Sequence, residues 1–267
     1  MMPGLAIAAI TIYLAATAAQ IVALRRAWPD MARIACRLGL VACMLHAAAL
    51  AASWHGIGGM DMHFFAALST VMLGTTALTA LLGLRRSTGA LGLVLYPIAA
   101  MVVLLYPLLT PATPTPAVMT WPIQLHAALS LLAYAALSLA TLLAVMLWLQ
   151  ERALRQRQVG GWLRAFPPLT LLESLMFRLI LAGFCLLSLA LLTGAVFMED
   201  LFAQHLAHKT VLSLLAWTVL GILLYGRRRH GWRGRRAVHW TLVAMALLAL
   251  AFFGSKFVLE LVLTRST

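Results

Sequence analysis

Eight histidines carry most of the chemical possibilities in this 267-residue chain. Six of them, His46, His55, His63, His126, His205 and His208, lie in or beside long apolar runs. Neutral imidazole is the commonest metal ligand, and an ionisable group at membrane depth is a functional candidate by default. His205 and His208 are three apart, so they share one helical face if a helix begins before 205, and Lys209 lies close to that face. His126 heads a polar line of Ser130, Tyr134 and Ser138, with Thr141 one step further on. At 100° per residue this is a slowly drifting stripe down an otherwise apolar helix.

An imidazole pair beside a lysine can ligate a metal or meet a carboxylate. A carboxylated cofactor such as haem satisfies both, with imidazole on iron and lysine near a propionate. Lys256, four residues before Glu260, is a second propionate candidate; the alternative is a helix-surface ion pair. His46 is deeper, and is either a substitute ligand or a hydrogen-bonded core histidine. For His205 and His208 the alternative is an interfacial histidine facing water, and for Ser130 and Ser138 a tight helix–helix seam. Zinc is poorly supported, because neither H-E-x-x-H nor a compact His/Asp/Glu spacing occurs. No nucleophile–base pair stands out. Cys36, Cys43 and Cys185 form no C-x-x-C, and without C-x-x-C-H the chain attaches no haem covalently.

The elements that must position these residues follow from composition. Hydrophobic residues make up 63% of the chain and charged ones only 10%, with a mean hydropathy of +0.96. That is too little charge to cover a water-soluble globule, so the chain is a membrane protein. Apolar runs at about 5–24, 34–54, 64–84, 90–109, 122–149, 177–197, 206–225 and 238–261 predict eight spans. They are too long and too uniformly apolar for barrel strands, so the fold class is all-α, a polytopic helical bundle. We read 1–267 as one polytopic domain. The first run has no basic residue before it and two arginines after it, the reverse of a signal peptide, and is expected to be an uncleaved span.

The formal charge of +13 raises nucleic acid as a partner, until the positions of the charges are considered. Arginines crowd alternate loops: Arg25, Arg26, Arg33 and Arg37; Arg85 and Arg86; Arg152, Arg155, Arg157 and Arg164; and six between 227 and 236. Arg178 joins them at the inner end of the sixth span. Of the 20 basic residues, only Lys209, Lys256 and Arg265 fall near the other side. The positive-inside rule places both termini outside the cytoplasm. All histidines except His230 and His239 then lie in the outer half or beyond it.

Three loops are informative. The proline-rich stretch 110–121 is expected to cross the outer surface as a stiff, extended segment. Within the inner stretch 151–176, residues 169–176 read as a short helix lying at the interface. The run Arg227-Arg-Arg-His-Gly-Trp-Arg-Gly-Arg-Arg236 either determines topology or binds anionic lipid or another acidic partner. A ten-residue tether leaves no room for a nucleic-acid-reading module.

Several segments together carry a resemblance. They are His126-Ala-Ala-Leu-Ser-Leu-Leu-Ala-Tyr134-Ala, Phe166-Pro-Pro-Leu-Thr-Leu-Leu-Glu173-Ser-Leu-Met-Phe-Arg178, His208-Lys-Thr-Val-Leu-Ser-Leu-Leu-Ala-Trp217, Gly231-Trp-Arg-Gly-Arg-Arg236-Ala and Phe253-Gly-Ser-Lys256-Phe. In their order and spacing the chain resembles the CcsA/HemX-type cytochrome c assembly family, in its YpjD-like inner-membrane branch. The resemblance implies a polytopic bundle in the bacterial inner membrane that handles haem at its outer face. It implies that His126 matches the family's outer, haem-ligating histidine. The His208-Lys209-Thr210 segment takes the place of the family's Trp-rich W-D-P-K-E stretch. No W-x-W-D cluster occurs here, so the implied role is haem binding, export or regulation rather than ligation to cytochrome c.

The expectation is therefore haem b held by His126 and His208 as axial ligands, with His46 as substitute and Lys209 or Lys256 near the propionates. Partners would be haem, the bilayer and other cytochrome c assembly proteins, with no nucleic acid. The rivals are a small-ion or metal transporter using the His126 line, and a non-catalytic scaffold that docks a partner through its Arg-rich loops.

Overall fold

The computed structural model describes residues 3–26, 28–57, 59–85, 89–109, 120–157, 167–197 and 207–254. Among these, eight helical spans are long and apolar enough to cross a membrane: α1 (Pro3–Arg26), α2 (Pro29–Ile57), α3 (Phe64–Arg85), α4 (Gly92–Leu109), α5 (Trp121–Arg155), α6 (Leu169–Phe197), α7 (Ala207–His230) and α8 (Arg235–Ala249), the last with the π-helical residues up to Phe252. The expected all-α class holds. The helices fall into two compact units, α1–α4 and α5–α8.

In the first unit, α1 packs on α2 and α4, and α3 packs on the same two helices. The buried face of α1 reads Ala6, Ala9, Tyr13, Ala16, Gln20 and Ala23. That alternation of three and four residues makes a stripe of mostly small side chains, which lets helix backbones approach closely in lipid. Near the outer end Leu50, Ala66 and Tyr106 form a core packed by Trp54, Phe65 and Leu73.

In the second unit α5 and α6 form the most extensive helix pair; α8 packs on α5 and α7, and α7 packs on α6. Trp217 anchors α7, its Nε1–H donating to Ser188 Oγ (2.8 Å) while its ring stacks on Phe184. Tyr134 anchors α5 to α8, its hydroxyl donating to the Leu248 carbonyl at 2.6 Å. That carbonyl lies where α8 passes into a π-helical turn, Leu250–Gly254, and such irregular turns need partners from outside the helix. Tyr134→Phe is expected to lower unfolding stability by about 1 kcal/mol. Thermal unfolding in detergent measures it, and an unchanged midpoint would show that the tether contributes nothing.

Two expectations are corrected. Residues 169–176 are not a separate interfacial helix but the first two turns of α6, since no breaker stands between Met176 and Phe177. Pro167 and Pro168 instead precede its start, and the Pro168 carbonyl accepts from Leu171 and Leu172. The inner helix ends also run further than the apolar runs. Arg152 and Arg155 lie on α5 and Arg227–Arg229 on α7, so the tether before α8 is only 231–234. Gly231 (φ +64°) and Gly234 (φ +55°) adopt left-handed backbone there, which ends α7 and turns the chain into α8. The stretch 110–119 lies outside the described residues.

Candidate functional site

His126 sits on the second turn of α5, at the outer end of the second unit, half-buried against α6. Its Nδ1 lies 2.8 Å from the Ala190 carbonyl oxygen, and the Thr193 hydroxyl is 3.4 Å away. A carbonyl can only accept, so Nδ1 carries the proton. In the neutral ring Nε2 is then an unprotonated lone pair, and no described residue bonds it. Gly194 makes room for the ring: a Cβ there would come within 3.1 Å of His126 Cε1 and 3.3 Å of Nδ1. Outside it, Trp121 and Phe197 meet edge-on at 5.6 Å. A backbone carbonyl thus sets the tautomer and orientation of the imidazole and leaves Nε2 free of the described residues, the arrangement of a metal-ligating histidine.

The rest of the polar line does not continue as one path from His126. Tyr134 turns to α8, and the Thr141 hydroxyl donates to its own helix at Leu137. His208 lies exposed in the first turn of α7, and Lys209 beside it is half-buried. Both α5 and α7 pack on α6, so His126 and His208 share the outer end of one four-helix unit. His205, Lys256 and Glu260 lie outside the described residues.

His46 belongs to the first unit and is completely buried. Its Nε2 lies 2.8 Å from Ser69 Oγ and its Nδ1 3.3 Å from the Tyr13 hydroxyl. That hydroxyl also meets Thr76 (3.2 Å) and Cys43 (3.4 Å). Both ring nitrogens are engaged, so His46 would have to release Ser69 or Tyr13 before it could ligate anything.

The structure adds a pair that the spacing analysis passed over. Asp61, buried at the outer end of the first unit, accepts from the backbone N–H of His63 (2.9 Å) and the Tyr106 hydroxyl (2.9 Å). Its carboxylate also lies 2.6 Å from His63 Nδ1. His63 Nε2 has no hydrogen bond among the described residues. The signal was available in Asp61-Met-His63, a lone acidic residue two before a histidine in a short loop. Among the described residues no three His, Cys, Asp or Glu side chains group closely enough to hold a bare metal ion. Single histidines with an open Nε2 suit an ion that brings its own equatorial ligands, as haem iron does.

Compared with known proteins, residues 32–263 match the model of the family described as Cytochrome C assembly protein. The inner membrane protein YpjD of Escherichia coli is 39% identical over 137 residues, covering 51% of this chain and 52% of that protein. The matched stretch thus spans about half the length of YpjD. An uncharacterised 28.8 kDa protein of Azospirillum brasilense is 33% identical over 221 residues, 80% of this chain and 79% of that one. The cytochrome c biogenesis protein CcsA of a Synechococcus strain is 26% identical over 158 residues, 49% of this chain and 52% of that one. No solved structure matches.

Proposed function

Because the chain belongs to the cytochrome c assembly protein family, we propose that it binds haem near its outer face and serves a cytochrome c assembly-like role. It is a multi-pass protein of the bacterial inner membrane. The observation that carries the haem reading is His126, with Nδ1–H given to the Ala190 carbonyl and Nε2 without a partner among the described residues. This donor fits iron, because neutral imidazole Nε2 is a usual axial ligand and the other nitrogen needs a fixed acceptor.

His208, exposed at the same end of the unit, would be the second histidine to hold the iron; His46, buried in the first unit with both ring nitrogens engaged, is not part of this set. Lys209 or Lys256 would supply positive charge to the haem carboxylates. The cofactor is haem b, held without covalent attachment. When bound, haem would supply the redox and ligand-exchange chemistry. The chain's own residues orient the imidazole, crowd its α6 side with Gly194 and Thr193, and flank it with Trp121 and Phe197. Other cytochrome c assembly proteins are the proposed partners.

Absorption spectroscopy of protein purified in detergent with haem supplied tests the reading. A Soret band that is lost or shifted in the His126→Ala/His208→Ala double variant is expected. Absence of a band in the wild type, or a band unmoved in the double variant, would overturn it.

A further inference from the structure

On the cytoplasmic side of the second unit, a cavity of about 570 Å³ opens among the inner ends of α5 and α6 and the start of α8. Its charged lining comprises Glu151, Arg155, Glu173, Arg233, Arg235 and Arg236. Four guanidinium groups thus face two carboxylates. Glu173 is already occupied: Arg227 Nη1 lies 2.6 Å from one carboxylate oxygen and Arg233 Nη2 3.3 Å from the other. Glu151 is packed on the turn, where a Cβ at Gly234 would come within 2.8 Å of its Oε1. Arg155, Arg235 and Arg236 have no carboxylate partner among the described residues, and all three are exposed.

The backbone adds positive potential at the same place. Gly234 caps α8 without a side chain, and the first helical bond is Val238 N–H to the Gly234 carbonyl. The N–H groups of Arg235, Arg236 and Ala237 therefore have no intrahelical acceptor. The first turn of α6 reaches the same cavity through Leu169 and Thr170. Two helix starts and three guanidinium groups without a carboxylate partner among the described residues make a site for a phosphate-type anion, which accepts planar, bidentate donation from arginine.

We infer that this cavity binds the phosphate of an anionic phospholipid head group from the cytoplasmic leaflet. Two features favour a lipid over a free phosphate. The lining also includes Leu147 and Leu169, an apolar wall against which glycerol and the first methylenes can lie. An aromatic row built from Tyr225, His230, Trp232 and Trp240 runs beside the turn, with neighbouring ring centroids 5.7–6.4 Å apart. Such a row marks head-group depth. The inference stands independently of haem.

The full chain in nanodiscs of equal phosphatidylglycerol and phosphatidylcholine, with matched acyl chains, tests it by native mass spectrometry. The wild type is expected to retain one phosphatidylglycerol. The triple variant Arg155→Gln/Arg235→Gln/Arg236→Gln should retain it about 100-fold less well, at the usual contribution per arginine near an anionic surface. Arg25→Gln/Arg26→Gln/Arg85→Gln removes the same charge from other loops on the same side, and should leave retention unchanged. Should the glutamine triple fail to fold, the lysine triple at 155, 235 and 236 keeps the charge and loses the fork. It is expected to weaken retention about tenfold. Equal retention of both lipids by the wild type, or equal loss in cavity and control variants, would overturn the site. If inorganic phosphate at millimolar level displaces the lipid, or an acidic protein segment co-purifies in its place, the lipid assignment is overturned.

Discussion

Replacing Glu173 by alanine is expected to destabilise the second unit by about 2–4 kcal/mol, the largest single-residue stability effect we anticipate. Its side chain is only 9% exposed and accepts from two arginines 54 and 60 residues away in sequence. Arg227 also lies over the Phe177 ring at 4.6 Å and donates to the Trp232 carbonyl. Removing the carboxylate leaves a half-buried guanidinium against an aromatic ring with its main partner gone. The exposed side of Arg233 is screened by water, which keeps the figure below that of a fully buried triad. Because these bonds tie α6 to the α7–α8 turn, trypsin should also cut faster at Arg228, Arg229 and Arg233. Glu173→Gln retains an acceptor and should fall between the two. An unfolding midpoint and cleavage rate equal to wild type for Glu173→Ala would show that the turn is held elsewhere.

Gly194→Val is expected to separate function from stability. Valine is the better helix former by about 0.5 kcal/mol, so α6 itself should not weaken. Its Cβ, however, would come within 3.1 Å of the His126 ring, and the two methyls add to the crowding. The imidazole must rotate away from the Ala190 carbonyl, and its tautomer is no longer set. Losing a partner that orients a ligand typically costs about 10–100-fold in affinity. Haem titration followed at the Soret band should show that loss while the unfolding midpoint stays within a few degrees of wild type. Unaltered haem affinity would remove His126 from the ligand set, since its ring must shift to admit that side chain.

The bundle could be read from the sequence because lipid imposes one rule on every span: a long apolar run must become a helix. Its inner ends could not. Arginine is a good helix former, so a charge marks where the hydrocarbon ends but not where the helix ends. Left-handed glycines at 231 and 234 end α7, three or more residues beyond the first arginine. Residues 169–176 misled for a related reason. Glu173 there suggests a wet surface, yet it is buried by arginines that only the tertiary fold brings to it. His126 is a candidate from its type and depth alone. Its acceptor could not be read, since a main-chain carbonyl at position 190 leaves no mark in a side-chain pattern. Asp61 and His63 were close enough in sequence to be paired, but the Tyr106 hydroxyl that completes their cluster lies 45 residues away.

The lengths of the helices carry a consequence for the membrane around them. At 1.5 Å per residue α5 runs about 52 Å and α6 about 44 Å, against a hydrocarbon core of about 30 Å. The shorter α3 and α4, at about 33 and 27 Å, match that core closely. Helices of unequal length therefore make different demands on one bilayer. Helices of the length of α3 and α4 lie within it; α5, α6 and α2, which equals α6 in length, must tilt, thicken it or extend beyond it. The overhang of α5 lifts Glu151 and Arg155 clear of the hydrocarbon, and a thicker membrane would draw them down. How far the basic inner ends of the longest helices project is thus set by the thickness of the surrounding lipid as well as by the amino-acid sequence.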